Sequence, residues 1–304
     1  MDLLSATESD VRGTYRRAIR PRPDGDVRRH RLRFLAGRAA TYIILISVGI
    51  TMLIPFLWMI STSFMTNLEV YSYPPKLLPE RFRWENYREA LTMLPFGRFF
   101  FNSIVISGAS VLGQLITCSM AAYAFARLDF RGRDKIFALY LMTMMVPAIV
   151  TLIPAFLIIS AFGWANTFWA LITPTLTSVW GIFLLRQFFL TIPSHYEDAA
   201  RIDGASEWTI FWRIILPLSK PALATLALFA FLATWKDFLW PLIVTSTDEM
   251  RPVEVGIAMF STIHSTNWPY QMAAVVVVML PIVVVFFFAQ RYFIEGIALS
   301  GLKG

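Results

Sequence analysis

Six stretches of this chain, at about 39–60, 101–125, 136–159, 168–189, 222–244 and 272–293, each reach the roughly twenty apolar residues that a helix needs to cross a bilayer. Inside lipid there is no water to satisfy exposed peptide groups, so runs of this length and character fold as helices. The expected fold class is therefore an all-α integral membrane protein with six transmembrane helices. Composition agrees: 57% of residues are hydrophobic and 15% charged, whereas soluble domains carry roughly a quarter charged residues. Pro55, Pro147, Pro154, Pro174 and Pro281 fall within these runs. Neighbouring helices can satisfy the carbonyls that proline frees, so they do not exclude spans.

Charge placement orients the spans. Ten arginines precede residue 39. With the N-terminus inside, twenty lysines and arginines fall on the inner side and six on the outer side, with Lys236 inside a span. Basic residues collect on the cytoplasmic side, so both termini are expected there. The +7 net charge follows from this distribution and does not call for nucleic acid as a partner. Residues 1–38 read as a basic cytoplasmic arm able to rest on anionic membrane lipid, and 39–304 as the membrane domain. A cleaved signal peptide fits poorly, because both the basic region and the first apolar run are too long.

The polar segment at 191–221 has the most organised sequence in the chain. Ser194 and Glu197 have capping-box spacing for a short helix, and Glu197 precedes Arg201 by four residues, a favourable pair. Ala199, Ala200 and Asp203 share a face, where small side chains let another surface approach the backbone. Gly204 then permits a sharp turn into Ala205. Ser206 is positioned to cap a second helix at 207–215 carrying Trp208, Phe211 and Trp212, stopped by Leu216 and Pro217. Physics alone leaves two uses open: a docking surface for another protein, or a helix pair lying in the lipid headgroups.

These residues resemble the cytoplasmic "EAA" loop of binding-protein-dependent ABC importer permeases. The match comprises Glu197, Asp198, Ala199 and Ala200, then Asp203, Gly204 and Ala205, then Phe211, and finally Ile214 to Pro217. FNS at 101–103, AAYAFAR at 121–127, WKDFLWP at 235–241 and the C-terminal residues from Gln290 onward resemble the maltose-type carbohydrate subgroup. Lys236 departs from that subgroup, which usually has Asn there. Gly301 and Leu302 replace a common Ala-Val.

The resemblance implies a type I importer permease of the bacterial inner membrane. It also implies a second permease subunit, two ATPase subunits and an external solute-binding protein as partners. ATP and Mg would be bound by the ATPase partners and no cofactor by this chain, which has no phosphate-binding G-x-x-x-x-G-K-[ST] motif. Glu197, Asp198, Ala199, Ala200, Asp203, Gly204, Ala205, Phe211, Leu216 and Pro217 would couple the ATPase to the permease. The outer segment 248–271, with Trp268, would reach the binding protein, and the tail at 299–304 would touch the ATPase pair.

A charge in the bilayer needs a reason. Asp237, with Trp235 or Trp240 stacking on a sugar ring, would line the pathway, whereas Lys236 can snorkel to the interface. Asn102, Ser103, Ser107 and Gln114 share one side of the second span, facing either the pathway or neighbouring helices. An ATP-independent secondary transporter or channel is the alternative, and it would need no docking loop. An enzyme is disfavoured, because His30, His195 and His264 lack metal-ligand spacing and the single cysteine, Cys118, sits in an apolar run.

Overall fold

The computed structural model describes the backbone of residues 24–261 and 266–301, with side chains over 34–35, 37–261 and 266–290. Most of the expected basic arm, His264 and the last three residues of the tail lie outside the described residues. Among the described residues the fold is helical, with one isolated antiparallel bridge between Ser261 and Thr266. Four helices are long and apolar enough to cross a membrane, or six if each of two bent helix pairs is one span.

The chain divides into two compact units, Met1–Trp58 and Met59–Gly304. In the first unit the described residues form one helix, the start of α1 (Asp24–Ser63). It begins inside the segment expected to be a separate arm. Its apolar part, Gly37–Ser63, covers the first expected span.

In the second unit, α2 (Glu85–Met93) precedes the long α3 (Phe96–Arg127). The third expected span is not one straight helix. Arg133–Met145, which begins with α4 (Arg133–Met142), and α5 (Ala148–Ala161) meet at a 100° bend. Pro147 is the cause: it lacks an N–H for the helical ladder and pushes Val146 into an extended conformation. The fourth span is interrupted by a tight turn at Thr173–Thr175 around Pro174 before α6 (Val179–Thr191).

The polar segment then gives α7 (His195–Ile202) and α8 (Glu207–Ile210). From α8 a π turn, Phe211–Ile215, leads to the short helix Leu216–Leu218. Pro217 thus does not stop the helix as expected. The break comes at buried Ser219, where a 79° bend leads into α9 (Lys220–Trp235). The fifth span also ends early: α9 stops at Trp235, and the rest of the expected run becomes α10 (Leu239–Val244). α11 (Val253–Ala258) and α12 (Trp268–Gly301) complete the chain.

Three buried clusters hold the second unit together. One, with Tyr123, Leu185, Phe189, Ile210, Phe211 and Leu226, joins α3, α6, α9 and the polar segment. A second packs Phe96, Phe99, Trp235, Val253, Ile257 and Ala274. A third joins Ile106, Ile159, Leu171 and Val244. In the second cluster Gly256 lies so close to α3 that an added Cβ would stand 2.4 Å from the Phe99 ring.

Candidate functional site

The segment from Ser194 to Pro217 forms a two-sided structure. Gly204 takes φ +82°, a region that glycine occupies without strain. The Ala205 N–H reaches the Ala200 carbonyl at 2.9 Å and the Gly204 N–H that of Arg201 at 3.0 Å. This pair of bonds is a Schellman cap on α7. Nothing lies within 4 Å of a Cβ built at Gly204, so the backbone angle, not crowding, explains the glycine. Ser206 caps α8, accepting from the Thr209 N–H at 3.3 Å.

The expected capping box at Ser194 does not form. Ser194 is already in helical conformation and makes no side-chain cap, and the Glu197 carboxylate is committed elsewhere. It is 2% exposed, with Oε1 2.8 Å from Arg127 Nε and Oε2 3.4 Å from Arg201 Nη2. The first contact is a close ion pair off the hydrogen-bonding angle, since neither atom has an aligned partner. Burial pushes the Glu197 carboxyl pKa up, and the charges of Arg127 and Arg201 pull against that rise.

Arg127 and Arg201 extend the network. Arg127 Nη2 donates to the carbonyls of Phe189 at 2.7 Å and of Ile192. Arg201 Nε donates to Glu207 Oε1 at 2.7 Å, and the Tyr123 hydroxyl donates to Glu207 Oε2 at 2.6 Å. Arg201 also pairs with Asp198 at 3.0 Å.

This network sorts the motif into two faces. Glu197 is buried, and Ala200 and Ala205 are half-buried against the first cluster, in which Phe211 is 2% exposed and Leu216 is partly covered. Asp198, Ala199, Asp203, Gly204 and Pro217 are exposed. Ile202, 86% exposed, sits in the middle of the free face. It is an apolar side chain left almost wholly uncovered on an otherwise polar helix. Sequence reasoning missed Ile202, and also Arg127, Tyr123 and Glu207 as its supports.

The residues expected to line a pathway are placed differently. Asn102 is fully buried, and its Nδ2 donates to the carbonyls of Glu249 at 2.8 Å and Arg251 at 2.9 Å. Ser103 accepts from the Val253 N–H at 3.0 Å, and Gln114 donates to the Thr175 carbonyl at 2.9 Å. Of the two uses left open, bonding to neighbouring segments is the one observed for these three. The Ser107 hydroxyl is buried without a partner.

Trp235 is 1% exposed, with Nε1 donating to the Val278 carbonyl at 3.2 Å, so no ring face is free to stack on a sugar. Asp237 lies past the end of α9 and accepts from the Trp240 N–H at 3.4 Å. It borders a void of about 10 Å³ shared with Ser103, Thr175 and Thr234, room for about one water. Trp268 opens α12, partly exposed. Much of the outer segment expected to reach a binding protein is instead core: Val253, Val255, Ile257 and Phe260 are buried.

Replacing Asn102 by leucine should cost about 1–3 kcal/mol, because the Arg251 carbonyl loses its donor while the Glu249 carbonyl keeps Arg98. A thermal unfolding series in detergent, comparing Asn102→Leu with Asn102→Gln, checks this. Equal stability for Asn102→Leu and the wild type would show that the clip is not structural.

Comparison with known proteins fits this geometry. Residues 113–298 match the family described as "Binding-protein-dependent transport system inner membrane component". The arabinooligosaccharides transport system permease protein AraQ of Halalkalibacterium halodurans is 37% identical over 206 residues, covering 68% of this chain and 74% of that protein. The sn-glycerol-3-phosphate transport system permease protein UgpE of Yersinia enterocolitica is 32% identical over 241 residues, covering 77% and 86%. Among solved structures, a chain of a bacterial ABC transporter involved in import of the acidic polysaccharide alginate superposes with TM-score 0.75 at 24% identity, covering 90% of this chain and all of that one. The fold is thus that of an ABC importer permease. By these matches the chain belongs to the binding-protein-dependent transport system inner membrane component family, the non-catalytic membrane subunits of ABC importers.

Proposed function

We propose that this chain is one of two permease subunits of an ATP-driven importer for a carbohydrate or a glycerophosphate-like solute, delivered by an external binding protein. Two cytoplasmic ATPase subunits supply the energy, and α7 docks on one of them. The relatives named for arabinooligosaccharide and sn-glycerol-3-phosphate transport support the solute class. The excess of basic residues on one side supports cytoplasmic termini.

The observation that carries the docking role is the division of α7. One face is pinned through Glu197, while Asp198, Ala199, Ile202, Asp203 and Gly204 form a free, low-relief face. When ATP closes the ATPase pair, α7 moves with it, and the permeases change between inward-open and outward-open states. ATP must favour one of those states for any shift in population to follow.

The test is co-purification and reconstitution. An ATP-binding subunit should accompany the wild-type chain and be reduced at least ten-fold by Ile202→Glu, which buries a charge in the contact. Solute uptake into liposomes should require ATP and the binding protein. Uptake driven by the solute gradient alone, without ATP or partners, would replace this reading with a secondary transporter.

A further inference from the structure

The polar network around α7 does more than hold a loop in place. Glu197, the first of the residues matched to the family loop, is 2% exposed, with its carboxylate facing Arg127. Its ion pair with Arg127, itself 11% exposed at the side chain, is shielded from water and salt, unlike a surface pair. Arg127 is the last residue of α3. Its guanidinium touches Glu197 on α7 and the carbonyls of Phe189 and Ile192 at the end of α6. One side chain therefore ties three elements.

A second tie lies one turn back on α3. The Tyr123 hydroxyl donates to Glu207 at the start of α8, and the same carboxylate is held by Arg201 near the end of α7. So α7 is fastened to α3 near both of its ends. One fastening would act as a pivot. Two, on the same rigid helix, pass on rotation as well as translation.

The far end of α3 is also fastened. Arg98 Nε donates to the Glu249 carbonyl at 2.9 Å, and Asn102 holds the carbonyls of Glu249 and Arg251. α3 has 32 residues, a length of about 48 Å at 1.5 Å per residue. It runs unbroken between the two sets of contacts, unlike the bent pairs around it.

We infer that Arg127, Glu197, Arg201, Glu207 and Tyr123 form the joint through which displacement of α7 enters the membrane bundle, and that α3 is the lever that carries it to the segment 249–253. Arg127 and Tyr123 are the positioning residues of this joint. The inference rests on α7 docking to an ATPase partner, as proposed above.

The test uses the full importer reconstituted in liposomes with its ATPase subunits and binding protein. The quantity read is solute moved per ATP hydrolysed, alongside the amount of ATPase subunit that co-purifies. In Arg127→Gln the ATPase subunits should remain bound and ATP should still be hydrolysed, while solute per ATP falls at least ten-fold. Tyr123→Phe removes one hydroxyl from a chain that otherwise packs unchanged, and should lower the ratio several-fold. Tyr123→Phe combined with Glu207→Gln should be no worse than the worse single variant, as expected of residues acting through one contact.

An unchanged ratio in Tyr123→Phe and Arg127→Gln would overturn the joint while leaving the docking role intact. So would a loss of transport that only follows loss of bound ATPase. ATP-independent transport by the wild-type assembly would overturn the functional reading and the joint with it.

Discussion

Glu197→Lys should abolish coupled transport and detach α7 from the membrane bundle. The substitution places a third cation between Arg127 and Arg201, in a site where the native carboxylate is 2% exposed. Breaking a buried ion pair by removing one partner costs about 3–5 kcal/mol, and repulsion adds to that. Arg127 keeps its two carbonyl acceptors, so the loss should centre on α7 and leave α3 and α6 packed. The measurement is uptake by the reconstituted importer, expected to fall by more than about 100-fold, with limited proteolysis to report release of the 194–206 region. Uptake within a few-fold of wild type would mean that the Glu197 contacts carry no force.

The second large effect separates two neighbouring aromatics. Phe211→Ala should cost about 3–5 kcal/mol, the range for emptying an aromatic core position, because Phe211 is 2% exposed and packs on Tyr123 with ring centroids 5.3 Å apart. Trp212→Ala should cost less, about 1–2 kcal/mol, because Trp212 is 46% exposed and loses only its edge contacts with Trp208 and Phe211. Thermal unfolding of the two variants in the same detergent decides the matter. Comparable losses would contradict the assignment of Phe211 to the core and Trp212 to the surface.

The apolar runs were legible because hydropathy is a local property, and five of the six expected spans overlap a helix or bent pair of nearly the expected extent. The breaks were not legible. Pro147 bends its span by 100°, whereas Pro55 and Pro281 sit inside continuous helices. Residue type alone does not distinguish the two outcomes, since a proline stands in all three segments. At Trp235 the helix ends before Lys236 and Asp237. The sequence shows two charges there, but whether they face a pathway or cap the next helix is decided by α10.

Within the site, the turn at Gly204 and the cap at Ser206 were readable, because both are made by residues a few positions apart. The inward aim of Glu197 was not readable, because its partner Arg127 belongs to a distant segment. Without that partner the residue looked like half of a local capping box. Asn102 and Ser103 stay ambiguous in the sequence for the same reason: their acceptors and donor lie on the 249–253 segment, and polar groups in a span look alike whether they face a cavity or a neighbour. Ile202 carried a signal that composition hid, since an isoleucine in an apolar chain draws no notice until its surroundings are known.

In the proposed assembly the free face of α7 is gripped by an ATP-binding partner. Cys118 is the chain's single cysteine and is buried, so Cys118→Ala with Ile202→Cys gives one exposed thiol for a short bifunctional maleimide in inner-membrane vesicles. A covalent adduct between this chain and the ATP-binding subunit is expected, with a yield that changes when ATP is added. Failure of Ile202→Cys to cross-link to that subunit, while a cysteine at Arg131 in the neighbouring α3–α4 turn does so efficiently, would contradict that grip.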